Sequence, residues 1–120
     1  MLDEVVARLC KLPIDVKAGG VSAVTLVRQS GYVFDSGEII REKIWTYISE
    51  HKELIHAWLQ WSDNKRVSEG WYFCPEGGGY LVAYHPRGTR FTFDNDVEAC
   101  AEFVFREIES LAKFAKSHSN

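Results

Sequence analysis

Apolar residues recur along this chain with two different periods, and the change from one to the other separates helical from extended segments. Leu2, Val5, Val6 and Leu9 share one helical face, and the helix is expected to stop near Pro13, because the residue before a proline resists the helical conformation. Residues 13–20 then read as a connector. Val21, Val24 and Val27 recur every third residue up to Gly31, which predicts a short helix, with a strand as the alternative because the residues are β-branched. Asp35 and Glu38 have the spacing of a capping box, and Ile40, Ile44, Tyr47 and Ile48 follow on one face, so a helix is predicted from Gly37 to Glu50. After His51, Leu54, Ile55, Trp58 and Trp61 begin another helical stripe, ended by Ser62-Asp63-Asn64-Lys65-Arg66. The two helices are either continuous or kinked.

Beyond residue 70 the period becomes two. Trp71 and Phe73 point one way and Tyr72 and Cys74 the other; Tyr80, Val82 and Tyr84 alternate with Leu81, Ala83 and His85. Pro75-Glu76-Gly77-Gly78-Gly79 and Pro86-Arg87-Gly88 are turn segments, and Phe91 and Phe93 mark a third strand, which together predict an antiparallel meander. Asn95 with Glu98 repeats the capping pattern. Val97, Cys100, Ala101, Val104, Ile108, Leu111 and Ala115 then trace one stripe, so the longest helix should run from Asp96 to Lys116. The expected fold is α+β, with N-terminal helices, a three-stranded antiparallel meander and a long C-terminal helix in two layers.

At 120 residues the chain fits one domain, 1–120, since dividing it would leave too little core for either part. Its composition, 46% hydrophobic and 26% charged, lies far from the signature of disorder. No unbroken apolar run of membrane-spanning length occurs, and the start carries acids ahead of any hydrophobic stretch, without an export pattern. Cys10, Cys74 and Cys100 form an odd set without paired spacing, as expected of reduced thiols, so the cytoplasm is the expected location.

The candidate chemistry is sparse. His51 and His56 lie five apart, about 140° around a helix, and His51-Lys52-Glu53-Leu54-Ile55-His56 departs from the HExxH zinc pattern, so no metal is expected. Glu76-Gly77-Gly78-Gly79-Tyr80 leads into a strand, whereas a phosphate cradle leads into a helix, so no nucleotide or other cofactor is expected. Cys74 and His85 are a possible nucleophile and base on neighbouring strands. With the turn centred on Gly77, however, Cys74 faces Tyr80 and His85 faces Glu69, too far apart to share a proton. The thiols are then small buried hydrophobes.

Charge is more informative in its distribution than in its total. Residues 94–109 hold six acids (Asp94, Asp96, Glu98, Glu102, Glu107, Glu109) and one base, Arg106, so this stretch carries -5 of a net -3 and the remainder +2. The bases are scattered, which speaks against direct nucleic-acid binding. On the last helix Glu98, Glu102, Phe105 and Glu109 fall within about 60° of one another. They form either a contact for a basic protein or a solvated face with Phe105 at the core boundary. Trp71, Tyr72, Tyr80 and Tyr84 pose the same choice, as interface anchors or as core.

Trp58, Asp63-x-Lys65-Arg66, Gly70-Trp71-Tyr72-Phe73, Tyr80-x-Val82, Gly88, Phe93 and Ala99-Cys100-Ala101-x-Phe103-Val104-x-x-Glu107 together resemble small bacterial immunity proteins of polymorphic-toxin and contact-dependent growth inhibition systems. The resemblance spans the C-terminal half. It implies a non-catalytic cytoplasmic antidote that binds a cognate toxin domain, commonly a basic nuclease, and blocks its active site or substrate surface. Negative charge suits such a partner. The partner-binding residues expected on these grounds are Asp63, Glu69, Trp71, Glu76, Tyr80, Asp94, Asp96, Glu98 and Glu102. The rival expectations are a self-associating structural or regulatory domain and a small hydrolase or transferase built on Cys74 or a histidine.

Overall fold

The computed structural model describes residues 2–32, 38–64, 70–85 and 88–117. In chain order these form α1 (Leu2–Cys10), α2 (Leu12–Gly19), α3 (Ala23–Ser30), α4 (Glu38–Glu50), α5 (Glu53–Asn64), β1 (Gly70–Glu76), β2 (Gly79–His85), β3 (Arg90–Phe93) and α6 (Asp96–Ser117). The architecture is the expected α+β one: a three-stranded antiparallel sheet in order β1-β2-β3 with α6 packed on it, and α3 and α4 packed on α6. No helix among the described residues is long and apolar enough to cross a membrane.

The expected connector at 13–20 is instead α2. Pro13 occupies its first turn, where a missing N–H costs nothing because first-turn amides have no intrahelical acceptor. The same proline that closes α1 therefore opens the next helix. Residues 23–30 are helical, and Ser22 supplies the reason: its Oγ accepts the Thr25 amide at 3.2 Å, capping the helix. Val27 is buried, while Val21 lies ahead of the helix and is exposed. Asp35, the expected cap of α4, lies outside the described residues. α4 and α5 are separate helices broken at His51-Lys52, and α5 continues through Ser62 and Asp63, beyond the expected stop.

The β1–β2 register differs by one residue from a turn centred on Gly77. Gly77 and Gly78 alone form the turn, with φ of 55° and 85°, and Glu76 pairs with Gly79. Two consecutive positive φ values make a two-residue hairpin whose twist matches that of its strands, and glycine adopts them without strain. Pro75 belongs to β1, which tolerates it as an edge strand. Helix α5 shields this edge: the buried Ser62 Oγ accepts the Phe73 amide at 2.7 Å, giving an outward-pointing donor a partner.

Register also determines which sheet face is inward. Trp71, Phe73, Tyr80, Val82, Tyr84, Phe91 and Phe93 share the face toward α6, where the Phe73 ring stacks 5.6 Å from Phe103. Tyr72, Cys74, Leu81, Ala83, His85, Arg90 and Thr92 share the other. The core joins this inward face to Ile40, Ile44 and Ile48 of α4 and to Trp58, whose indole packs edge-on against Phe103 at 5.9 Å and donates to the Cys10 carbonyl at 2.9 Å. α6 lies between the sheet and α3/α4, so burial extends well beyond one stripe: Ala99, Phe103, Phe105 and Glu107 are buried with Cys100, Val104 and Ile108.

Candidate functional site

At the sheet end that holds the hairpin tip, Gly79 packs so tightly on β3 that a Cβ there would lie 2.5 Å from the Phe93 carbonyl oxygen. That contact sets the tip beside the start of α6, where Asn95 Oδ1 accepts the amides of Val97 (2.8 Å) and Glu98 (3.1 Å) as the helix cap. Glu76, Tyr80, Asp94, Asp96 and Glu98, five of the nine expected contact residues, are thereby gathered at one end. Asp94 and Glu98 are exposed, Asp96 is half-buried, and exposed Glu76 pairs with Arg90 at 3.2 Å. Acids at a helix N-terminus also complement its dipole, so their charge stabilises α6 as well.

The rest of the acidic stretch is engaged inside the molecule. Glu102, only 12% exposed, bridges Arg41 of α4 and, at 2.6 Å, Arg106 of α6. The Arg41 guanidinium lies 4.3 Å over the Phe105 ring, and that of Arg106 lies 5.0 Å from Phe91 and 5.2 Å from Trp71. A ladder of two arginines, one carboxylate and three aromatic rings thus ties the sheet to α4 across α6. Glu109 accepts the Tyr32 hydroxyl, and buried Glu107 accepts the Trp61 indole N–H at 2.9 Å. The single acidic face expected on α6 is therefore divided: exposed carboxylates at its start, structural ones beyond. Phe105 is buried, at the core side of that boundary.

The remaining expected contacts are dispersed. Asp63 is exposed at the end of α5, and Glu69 lies outside the described residues. Trp71 sits at the far end of the sheet, edge-on to Tyr84 at 5.5 Å, on the rim of an open groove of about 380 Å³ lined also by Val24, Leu111 and Phe114. Trp71 and Tyr80 both face α6 and are only half-exposed.

Cys74 pairs with Leu81 and His85 with Gly70, which corrects the expected register opposite Tyr80 and Glu69. Four residues of strand, about 13 Å, still separate the two positions, so they share no proton. Cys10 and Cys100 are buried; burial pushes the Cys10 thiol up to about 12 and the Cys100 thiol well above its ordinary value, with Cys10 and Asp96 adding to the latter. The His51 ring stacks on Tyr47 at 4.0 Å, and His56 is exposed. Among the described residues no three His, Cys, Asp or Glu side chains are grouped to hold a metal ion.

Trp45 was not anticipated. It is 48% exposed on α4, whose inward positions Ile40, Ile44 and Ile48 are fully buried. Its only signal in the sequence is that it falls outside that i, i+4 series. Comparison of the chain with protein-family models, with curated proteins and with solved structures gave no match.

Proposed function

We propose that this chain is a cytoplasmic immunity protein that binds a cognate toxin domain, a basic nuclease, and neutralises it by covering its active site or substrate surface. The observation that carries this reading is the convergence of Asp94, Asp96, Glu98, Glu76 and Tyr80 at one end of the sheet. A surface of this sign steers a phosphate-binding protein toward it and complements the basic groove that such a protein needs. The contact surface is accordingly the hairpin tip and the first turn of α6, with Glu102 supporting it from inside.

The test is to co-express the chain with the C-terminal domain of a large secreted protein encoded immediately upstream, measuring co-elution and host survival. Rescue with a stable complex is expected. A toxic domain that neither co-elutes nor is neutralised would overturn the proposal.

A second reading, self-association, is favoured by the exposure of Ile14, Ile39, Trp45 and Phe114. It requires a mass that rises with concentration in the absence of any partner, whereas an antidote awaiting its toxin stays monomeric.

A further inference from the structure

We infer that the outer edge of β3 is a docking surface, and that its occupant is an extended segment of a basic protein partner that adds a fourth strand to the sheet. The inference rests on the protein-binding reading above and names the mode of contact. Backbone groups along an antiparallel strand alternate in direction, so each residue bonds to one neighbouring strand only. The Tyr84 amide donates to the Thr89 carbonyl at 3.2 Å, which turns Tyr84, Val82 and Tyr80 toward β3 and, through their register, Phe91 and Phe93 toward β2. The Phe73 amide fixes the same alternation from the other side: it points away from β2 to Ser62, so its cross-strand partner Val82 points away from β1. The amides and carbonyls of Arg90 and Thr92 are therefore directed out of the sheet. Both residues are exposed, and no described residue bonds to these backbone groups.

The two edges of the sheet differ. At β1 the outward positions are Trp71, Phe73 and Pro75: α5 supplies Ser62 to the Phe73 amide, and Pro75 has no amide to offer. At β3 both outward residues keep a donor and an acceptor open, so a strand can add there through main-chain bonds. Charge selects the occupant. β3 runs straight into Asp94 and the first turn of α6, where Asp94, Asp96 and Glu98 have no ion pair among the described residues, whereas Arg90, the one base of β3, is held by Glu76. An added strand therefore meets unneutralised carboxylates at the end of the edge and gains by carrying Lys or Arg there. A second copy of this chain would bring only the engaged Arg90. Its four-residue β3 would also give a strand pair only about 13 Å long, short of the about 1,200 Å² that a stable interface buries. A basic partner that pairs with β3 also covers the acidic end formed by Asp94, Asp96 and Glu98, so one contact uses both.

The test uses the full ¹⁵N-labelled chain and the end-blocked peptide Lys-Val-Lys-Val-Lys-Val, with the same peptide N-methylated at every residue as a probe of equal charge and no main-chain donor. By NMR, the Arg90 and Thr92 amides should shift on titration, and at saturating peptide their hydrogen exchange should slow about tenfold or more. The methylated peptide should bind about tenfold more weakly. Thr92→Pro, which removes an outward donor at a position like that of Pro75 on β1, should weaken binding of the unmodified peptide by about the same factor. Equal binding of the two peptides, or a response confined to the Asp94, Asp96 and Glu98 amides, would overturn the inference. Slowed exchange at Arg90 and Thr92 that grows with protein concentration alone would assign the edge to a second copy of the chain and overturn it too. Because the peptide measurement needs no toxin, its outcome is independent of the co-expression test. Rescue that survives Thr92→Pro at unchanged affinity would remove the edge from the contact and leave the antidote reading standing.

Discussion

Replacing Glu102 by glutamine separates a structural carboxylate from one held ready for a partner. Glu102 is 12% exposed and pairs with Arg41 and Arg106, which are themselves 30% and 31% exposed. Glutamine keeps the shape and one acceptor oxygen but removes the charge, so two arginines held across one α6 face lose their shared counter-ion. A charge-assisted hydrogen bond contributes about 1.5–3 kcal/mol when buried. Here water reaches both guanidinium groups and screens them, which discounts each pair to about 1 kcal/mol. The expected loss is about 2 kcal/mol, or a fall in Tm of about 8 °C at about 4 °C per kcal/mol for a domain of this size. Urea unfolding followed by tryptophan fluorescence should show the midpoint falling at constant slope. Glu98→Gln, exposed and not ion-paired among the described residues, should change stability by less than about 0.5 kcal/mol. In a double-mutant cycle with Arg41→Met the two losses should be less than additive, because they remove one shared interaction. Equal effects of Glu102→Gln and Glu98→Gln, or a Glu102→Gln variant as stable as wild type, would refute the ladder and return Glu102 to the contact surface.

Ser62→Ala removes the acceptor of the buried Phe73 amide on the β1 edge and should cost about 1–3 kcal/mol, with faster hydrogen exchange at Phe73; unchanged exchange would show that water replaces the hydroxyl. Gly79→Ala places a methyl group 2.5 Å from the Phe93 carbonyl oxygen and should cost about 1–3 kcal/mol, whereas Gly77→Asn, in the left-handed region that asparagine tolerates, should be nearly neutral in the same unfolding assay. In the native protein a thiol reagent should modify Cys74 and spare the buried Cys10 and Cys100, and labelling of all three before unfolding would contradict their burial. Burial holds Cys10 neutral up to about 12 against an ordinary value of 9.0, so its contribution is complete below about pH 9 and is lost as pH rises toward 12. Stability should accordingly fall over that window at about 1.4 kcal/mol per pH unit per such thiol. The Cys10→Ala variant should lose one thiol's share of that slope, and an unchanged slope would show that this thiol does not titrate between the two states.

Local signals account for most of the element map. Asn95 three residues before Glu98 marks the start of α6, the Ile40-Ile44-Ile48 series marks the inward face of α4, and the alternation at 71–74 and 80–85 marks the hairpin. Where the local rules were ambiguous, one side chain or one dihedral decided. Pro13 ends one helix and starts another, because proline is excluded from helix interiors and welcome in first turns. The Ala23–Ser30 segment is helical because Ser22 caps it, a signal as local as the others but shorter than the valine series that competed with it. The hairpin register turned on whether one or two glycines take positive φ, a difference of one residue that exchanges every cross-strand partner.

The sequence by itself determined the periodicities, the caps and the amount of acidic charge near residue 100, because each depends on residues only a turn or two apart. Only the tertiary structure decided what that charge is used for. Glu102, Glu107 and Glu109 look like Asp94 and Glu98 along the chain, yet their partners Arg41, Trp61 and Tyr32 lie 61, 46 and 77 residues away. Whether a carboxylate faces an arginine, an indole N–H or water depends on which helix packs beside it. That packing is set by the whole core, and it leaves Glu98 and Trp45 facing outward.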